Sequence, residues 1–438
     1  MLTTVTTTNK SLEDYRPIIG DEQTDEIYRL TEPFKGARVL HINATPFGGG
    51  VAELLNSMVP LMNDIGFQAE WQVMQGADEF YQVSKALHNS LQGMQISWKP
   101  EMWEIWRKYN RLNAELLEGQ YDYVIVHDPQ PAGLLHFLQE SGVQTQSTRW
   151  IWRCHIDSTD AQPEAWSYLR PYIESYETAV FTLKQFVKRD LASPRIWVIP
   201  PAIDPLSEKN VPISHEAIRQ VLTRFNVDPE RPLVLQASRM DSWKDPLGVL
   251  EAYNQIKHRV PGVQLVFLVA IANDDPEGWA YYDQTVAQAG GDPDVHILPN
   301  ILNGIGDWEV NAFQTGAQVV VQKSLREGFG LSVTEALWKG RPVVGGKVGG
   351  IPLQVVHGRT GYLVSTPSEC AKWILYLLQS PERADQLGQQ GREHARRNFL
   401  ITRYLRDYLR VFRALNRSKR KLYPLSHLQA VVGPTDGS

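Results

Sequence analysis

The sequence has 438 residues, 42% of them hydrophobic and 21% charged, which is enough for two domains and too apolar for a disordered chain. A formal net charge of −5 argues against a general nucleic-acid binder, and a chain whose only cysteines are Cys154 and Cys370 needs no disulfide framework. The Thr-rich start, Met1 to Lys10, lacks a signal-peptide pattern, and Val263 to Ala272 is about half the length of a bilayer-spanning helix, so a cytoplasmic protein with no membrane partner is expected.

Ala37 to Asn43 reads as the first buried strand. Gly48-Gly49-Gly50 follows, and apolar residues then recur at Val51, Leu54, Leu55, Met58, Val59 and Met62 with helical spacing, in which Pro60 is expected to kink the helix or end its regular part. Tyr123–Val126, Trp150–Trp152, Val180–Phe181 and Trp197–Ile199 are further strands with helical patterns between most of them. Pro200 to Pro205 is a rigid, extended punctuation mark and the candidate linker. A second series begins beyond it at Leu233–Leu235, Leu265–Val269, Val295–Leu298, Val319–Val321, Val343–Val344 and Tyr362–Val364. Strand, turn and helix in alternation imply α/β domains with doubly wound parallel sheets. The basic tail, with Arg417, Lys419, Arg420 and Lys421, reads as a solvated face.

Four places carry residue types that could do chemistry, three of them suited to a phosphorylated ligand. Gly48 to Gly50 would let an anion approach the free N–H groups of the helix that follows, although a ligand-free tight turn explains the glycines equally well. Ser238 to Asp245 closes the first strand of the second half and sets Arg239 and Lys244 where a diphosphate is neutralised; surface pairs with Asp241 and Asp245 are the plainer explanation. Ser324 to Ala336 carries Glu327 on a glycine-containing loop and Glu335 on the helix that opens near Leu331. Two carboxylates so spaced can hold hydroxyls on two parts of one extended ligand, unless Glu335 is a solvated helix residue. His127-Asp128 and Arg153-Cys154-His155-Ile156-Asp157 follow strands and pair histidines with carboxylates. Their spacing makes no zinc site, and no nucleophile elbow supports a hydrolase.

On these residues, and on the longer strings Asn43–Glu53, Val126–Pro131, Trp152–Asp157, Ile203–Asn210, Asp274–Trp279, Val310–Gln314 and Arg326–Gly330, the sequence resembles the family-4 retaining glycosyltransferases of the GT-B fold. It is similar above all to the trehalose glycosyltransferring synthases and the related trehalose phosphorylases. The resemblance implies two facing Rossmann-like domains, an acceptor-side domain over 1–204 and a donor-binding domain over 205–405. Residues 406–438 would form a helix and tail packing back on the first. Arg239 and Lys244 would bind the donor diphosphate, Glu327 the hydroxyls of the transferred glucose, and Glu335 the ribose. Gly49 and Gly50 would lie against the phosphate and sugar, with Arg326, Gly328, Phe329, Gly330 and Leu331 also on the donor. His155 would sit beside the transferred sugar, and Asp157, Asp128 and Arg153 on the acceptor side. The segment after Lys244 departs from the family, with Asp245-Pro246 where relatives often carry glycine.

The activity so implied is transfer of glucose from ADP-, UDP- or GDP-glucose to free glucose, giving trehalose. Alternatives are a phosphorylase using glucose 1-phosphate, transfer to glycerol or glycerate, and a sensor that binds without turnover. No cofactor is obligatory; Mg²⁺ is compatible with the chemistry but not implied by it. The partners are a small-molecule donor and acceptor, and relatives suggest a homodimer.

Overall fold

The computed structural model describes residues 1–47, 49–192, 194–271 and 276–417. Gly48, Asp274 and Asp275 of the string ending at Trp279, and the tail cations Lys419, Arg420 and Lys421 lie outside the described residues. The chain divides into two compact units, Met1–Pro200 with the segment from Tyr404, and Pro201–Arg403.

In the first unit the strands are β1 (Thr3–Thr4), β2 (Arg38–Asn43), β3 (Gln68–Val73), β4 (Tyr123–His127), β5 (Arg149–Cys154), β6 (Thr178–Phe181) and β7 (Arg195–Val198), in the spatial order β1-β3-β2-β4-β5-β6-β7. All pairs are parallel except β1 with β3. β2 and β4 to β6 are buried along almost their whole length because helices cover both faces of a parallel sheet. β3 was not among the expected strands. Its polar Gln68, Glu70 and Gln72 alternate with buried Ala69, Trp71 and Val73, a period of two that a search for apolar runs passes over. The helix Gly50–Asp64 runs through Pro60 rather than ending at it. From Tyr404 the last described helix, Ile401–Arg417, packs on this unit. Phe412 stacks on Tyr123 with centroids 4.2 Å apart, Tyr123 Oη donates to Asn416 Oδ1 at 2.7 Å, and Glu26 pairs with Arg406 and Arg410.

The second unit contains β8 (Leu233–Arg239), β9 (Gln264–Ala270), β10 (Val295–Pro299), β11 (Val319–Gln322), β12 (Val343–Gly346) and β13 (Gly361–Val364). They form one parallel sheet ordered β10-β9-β8-β11-β12-β13. Counted from β8 this is the dinucleotide-fold order 3-2-1-4-5-6, whereas the first unit, leaving out its edge strand β1, starts 2-1-3. Both sheets reverse direction once, between β2 and β4 and between β8 and β11. Ligands of open parallel sheets bind beyond the carboxyl ends of the strands at such a reversal.

Candidate active site

At the reversal in the second unit, β8 delivers Arg239, and a one-turn helix, Ser242–Lys244, delivers Lys244. The Asp241 carboxylate accepts the Lys244 N–H at 3.2 Å, and Gln236 Nε2 donates to the Lys244 carbonyl at 2.8 Å, so the backbone under the lysine is fixed from two sides. The departure at Asp245 has a structural account. Asp245 has φ +51°, the left-handed conformation a glycine enters freely. Its carboxylate offsets the strain by accepting the Gly248 N–H at 3.1 Å, which caps the helix Pro246–Ile256, and by pairing with buried Lys323.

Lys244 Nζ lies 2.5 Å from Glu327 Oε2, which also accepts from Ser324 Oγ at 3.2 Å. The lysine therefore pairs with Glu327 on the loop that follows β11, not with Asp245. Arg239 is different: its side chain is 60% exposed and pairs with Asp241 at 2.9 Å. Arg326 lies over the Trp243 ring at 5.2 Å. Phe329 is buried against Phe399, so its ring is closed off from solvent. Gly330, at φ +84°, opens the helix Leu331–Trp338.

A second layer of glycines, which the sequence reading did not single out, sets the shape of this loop. At Gly349 (φ +52°) a Cβ would stand 1.5 Å from the Glu327 carbonyl oxygen; at Gly346, 2.3 Å from that of Ser324; at Gly350, 2.7 Å from Phe329 Cα. Buried Gln354 adds Nε2 donation to the Phe329 carbonyl at 2.6 Å and accepts Thr334 Oγ1 at 2.5 Å. The available signal was the doublets Gly345-Gly346, which end β12, and Gly349-Gly350 just beyond it.

Glu335 is 4% exposed, so it is not a solvated helix residue. Gln314 Nε2 donates to its Oε2 at 2.9 Å, and Lys209 Nζ lies 3.9 Å from Oε1 and 3.4 Å from Asp307. On the next turn Lys339 donates to Asn210 Oδ1 at 2.9 Å; burial pushes its ammonium down to about 8, against the opposing pull of Glu335.

In the first unit His127 ends β4, Asp128 follows it, and His155 and Asp157 follow β5. Asp128, at φ +68°, donates its N–H to the Arg153 carbonyl and accepts the His155 N–H on Oδ1, each at 2.7 Å. Burial raises the Asp128 carboxyl from 3.8 to about 7, while the His155 N–H and the Arg153 charge act to lower it. His41 Nδ1 lies 3.1 Å from His127 Nε2, and His127 Nδ1 lies 3.0 Å from His155 Nε2. His41 was read only as part of an apolar strand. Arg153 is fully buried: Nη2 donates to Thr182 Oγ1 at 3.4 Å, the guanidinium lies 5.9 Å over Tyr404, and Nε and Nη1 have no hydrogen-bond partner among the described residues. Asp157 accepts the Thr159 N–H at 3.0 Å. Gly49, extended at φ −178°, precedes the helix that starts at Gly50; nothing lies within 4 Å of where its Cβ would be, and both glycines are exposed. Among the described residues no group of three or more His, Cys, Asp or Glu could hold a metal ion, and no helix is long and apolar enough to cross a membrane.

The Asp128 shift makes a signed prediction. Folded Asp128 keeps its proton between pH 3.8 and about 7, where the unfolded chain has released it. Stability therefore falls as pH rises through that window, and the loss is complete above it. Asp128→Asn retains an acceptor for His155 and tolerates positive φ. Calorimetry should show its gain in Tm to be near zero at the acid end and to grow to a plateau above the window; a gain independent of pH would contradict the assignment.

Residues 41–188 match the family described as trehalose synthase, N-terminal domain, and residues 219–394 match glycosyl transferases group 1. The chain is 49% identical over 418 residues to a trehalose synthase of Rubrobacter xylanophilus, covering 95% of this chain and 99% of that protein. It is 26% identical over 404 residues to a trehalose phosphorylase of Pleurotus pulmonarius, covering 82% of this chain and 54% of that one. In fold it resembles a UDP-forming α,α-trehalose-phosphate synthase of Burkholderia xenovorans, with a TM-score of 0.70 at 16% identity over 87% of this chain and 100% of that one.

Proposed function

The chain belongs to the trehalose synthase family of glycosyltransferases, and from that premise we propose that it transfers glucose from a nucleoside diphosphate glucose to the anomeric hydroxyl of free glucose. The product is trehalose, formed with retention of the donor's α-configuration. The observation that carries the reading is the meeting of Lys244 with Glu327 beside Arg239 at the reversal of the second sheet. A cation there neutralises charge that grows on the departing phosphate, the interaction that accelerates a reaction rather than merely binding its substrate. Glu327 takes hydroxyls of the transferred glucose. Glu335, oriented by Gln314, takes the ribose. Arg326 and the backbone of Gly328 to Leu331 border the donor. Gly49 and Gly50 of the first unit serve the phosphate and sugar, His155 the transferred sugar, and Asp157, Asp128 and Arg153 the acceptor.

The bond from sugar C1 to the phosphate oxygen breaks, the bond from C1 to the acceptor oxygen forms on the same face, and the leaving phosphate oxygen takes the acceptor's proton. No protein base is assigned. The test is a matrix of ADP-, UDP- and GDP-glucose against glucose, glycerol and glycerate. Disaccharide with at least one donor and glucose is expected; none with any donor contradicts the reading. The phosphorylase relative favours a second reading, because the same cations suit a free phosphate. Trehalose formed from glucose 1-phosphate without nucleotide selects it.

A further inference from the structure

Three imidazoles from neighbouring strands of the first unit stand in one row, and the row ends on a sulfur. His41 Nε2 lies 3.5 Å from Met62 Sδ, His41 Nδ1 is 3.1 Å from His127 Nε2, and His127 Nδ1 is 3.0 Å from His155 Nε2. Adjacent rings stack with centroids 5.3 Å apart and planes within 28°. His41 and His127 are buried, whereas His155 keeps partial exposure, and its Nδ1 makes no hydrogen bond among the described residues. The main chain of the outer residue is fixed by Asp128, whose Oδ1 accepts the His155 backbone N–H at 2.7 Å.

Burial holds all three rings neutral, with the Arg153 charge acting the same way on His127 and His155. A neutral imidazole carries one N–H, and each nitrogen-to-nitrogen contact needs one proton. Only two arrangements satisfy both contacts in the row, with every proton on Nε2 or every proton on Nδ1. A mixture leaves one contact with two protons or with none. The sulfur decides between them. A thioether accepts weakly and has no proton to give, so His41 presents Nε2–H to Met62, and the choice propagates ring by ring.

We infer that Met62, His41 and His127 are positioning residues that hold His155 in the Nε2–H tautomer, so that its Nδ1 offers a lone pair to a sugar hydroxyl and refuses a phosphate oxygen. The inference rests on the reading of His155 as a contact of the transferred sugar. Because an acceptor nitrogen meets an anionic oxygen lone pair to lone pair, the row sorts hydroxyl from phosphate at this position.

The test is two-bond ¹H–¹⁵N spectroscopy of the full chain carrying ¹⁵N-histidine, with His41→Asn, His127→Asn and His155→Asn used for assignment. All three rings should be protonated at Nε2. Met62→Leu removes the acceptor at similar volume; it should shift His155 toward the Nδ1–H form and raise the donor KM about three- to tenfold, the worth of one hydrogen bond, with a smaller change in kcat. A wild-type His155 protonated at Nδ1 overturns the inference, as does a Met62→Leu enzyme with the wild-type tautomer. A shifted tautomer with unchanged KM overturns the hydroxyl contact. The wild-type spectrum needs no turnover, so it stands apart from any failure to find transfer activity.

Discussion

Lys244→Ala is expected to lower kcat by about 10²- to 10³-fold, the usual loss when one preorganised group facing developing charge is removed. Two separate effects are contained in that change. Lys244 would no longer meet the departing phosphate, and Glu327, 2.5 Å away and largely buried, would lose its counter-charge. An uncompensated buried carboxylate is destabilising, so some fall in Tm is expected as well. Glu327→Gln makes the mirror-image change, because it leaves the largely buried Lys244 ammonium without its counter-charge. Its Tm should fall as well, whereas Lys244→Ala combined with Glu327→Gln, which leaves neither charge buried alone, should regain Tm without regaining turnover. A folded Lys244→Ala protein with near-normal turnover would remove the lysine from the chemistry.

Gly349→Ala should be nearly as damaging although it alters no charged group. A side chain at φ +52° costs about 1–2 kcal/mol, and the new Cβ would stand 1.5 Å from the Glu327 carbonyl oxygen. Backbone cannot swing away as the end of a side chain can, so the loop bearing Glu327 must move. A misplacement of about 1 Å at a reacting centre costs roughly 10²-fold in rate. Gly358→Ala is the control: it has φ +74° with nothing within 4 Å of its Cβ. It should lose stability from strain alone and keep its kcat/KM. Equal activities in the two variants would show that the glycine contact does not position Glu327.

The alternating pattern of strands and helices was legible because parallel strands buried on both faces are continuous apolar runs, as in Tyr123–Val126 and Val319–Val321. Gln68–Val73 escaped because half of its residues are polar. At Pro60 the helix does not end but continues to Asp64. In the candidate site, residues were legible where chemistry and strand ends coincide, as at Arg239, Lys244 and Glu327. Their pairing was not, since Lys244 and Glu327 are joined by folding rather than by spacing. The burial of Glu335, the contact of Gly349 with Glu327 and the place of His41 in the imidazole row are likewise long-range facts. Asp245 lies between these cases. Its departure from glycine was visible in the sequence, and its left-handed backbone with two compensating contacts was not.

A crystal structure with a nucleoside diphosphate from a donor that supports transfer is the most direct test of the account. Its diphosphate should lie against Arg239 and Lys244, with the ribose hydroxyls on Glu335. A diphosphate bound elsewhere, with Arg239 turned to solvent and Lys244 still closed on Glu327, would contradict it.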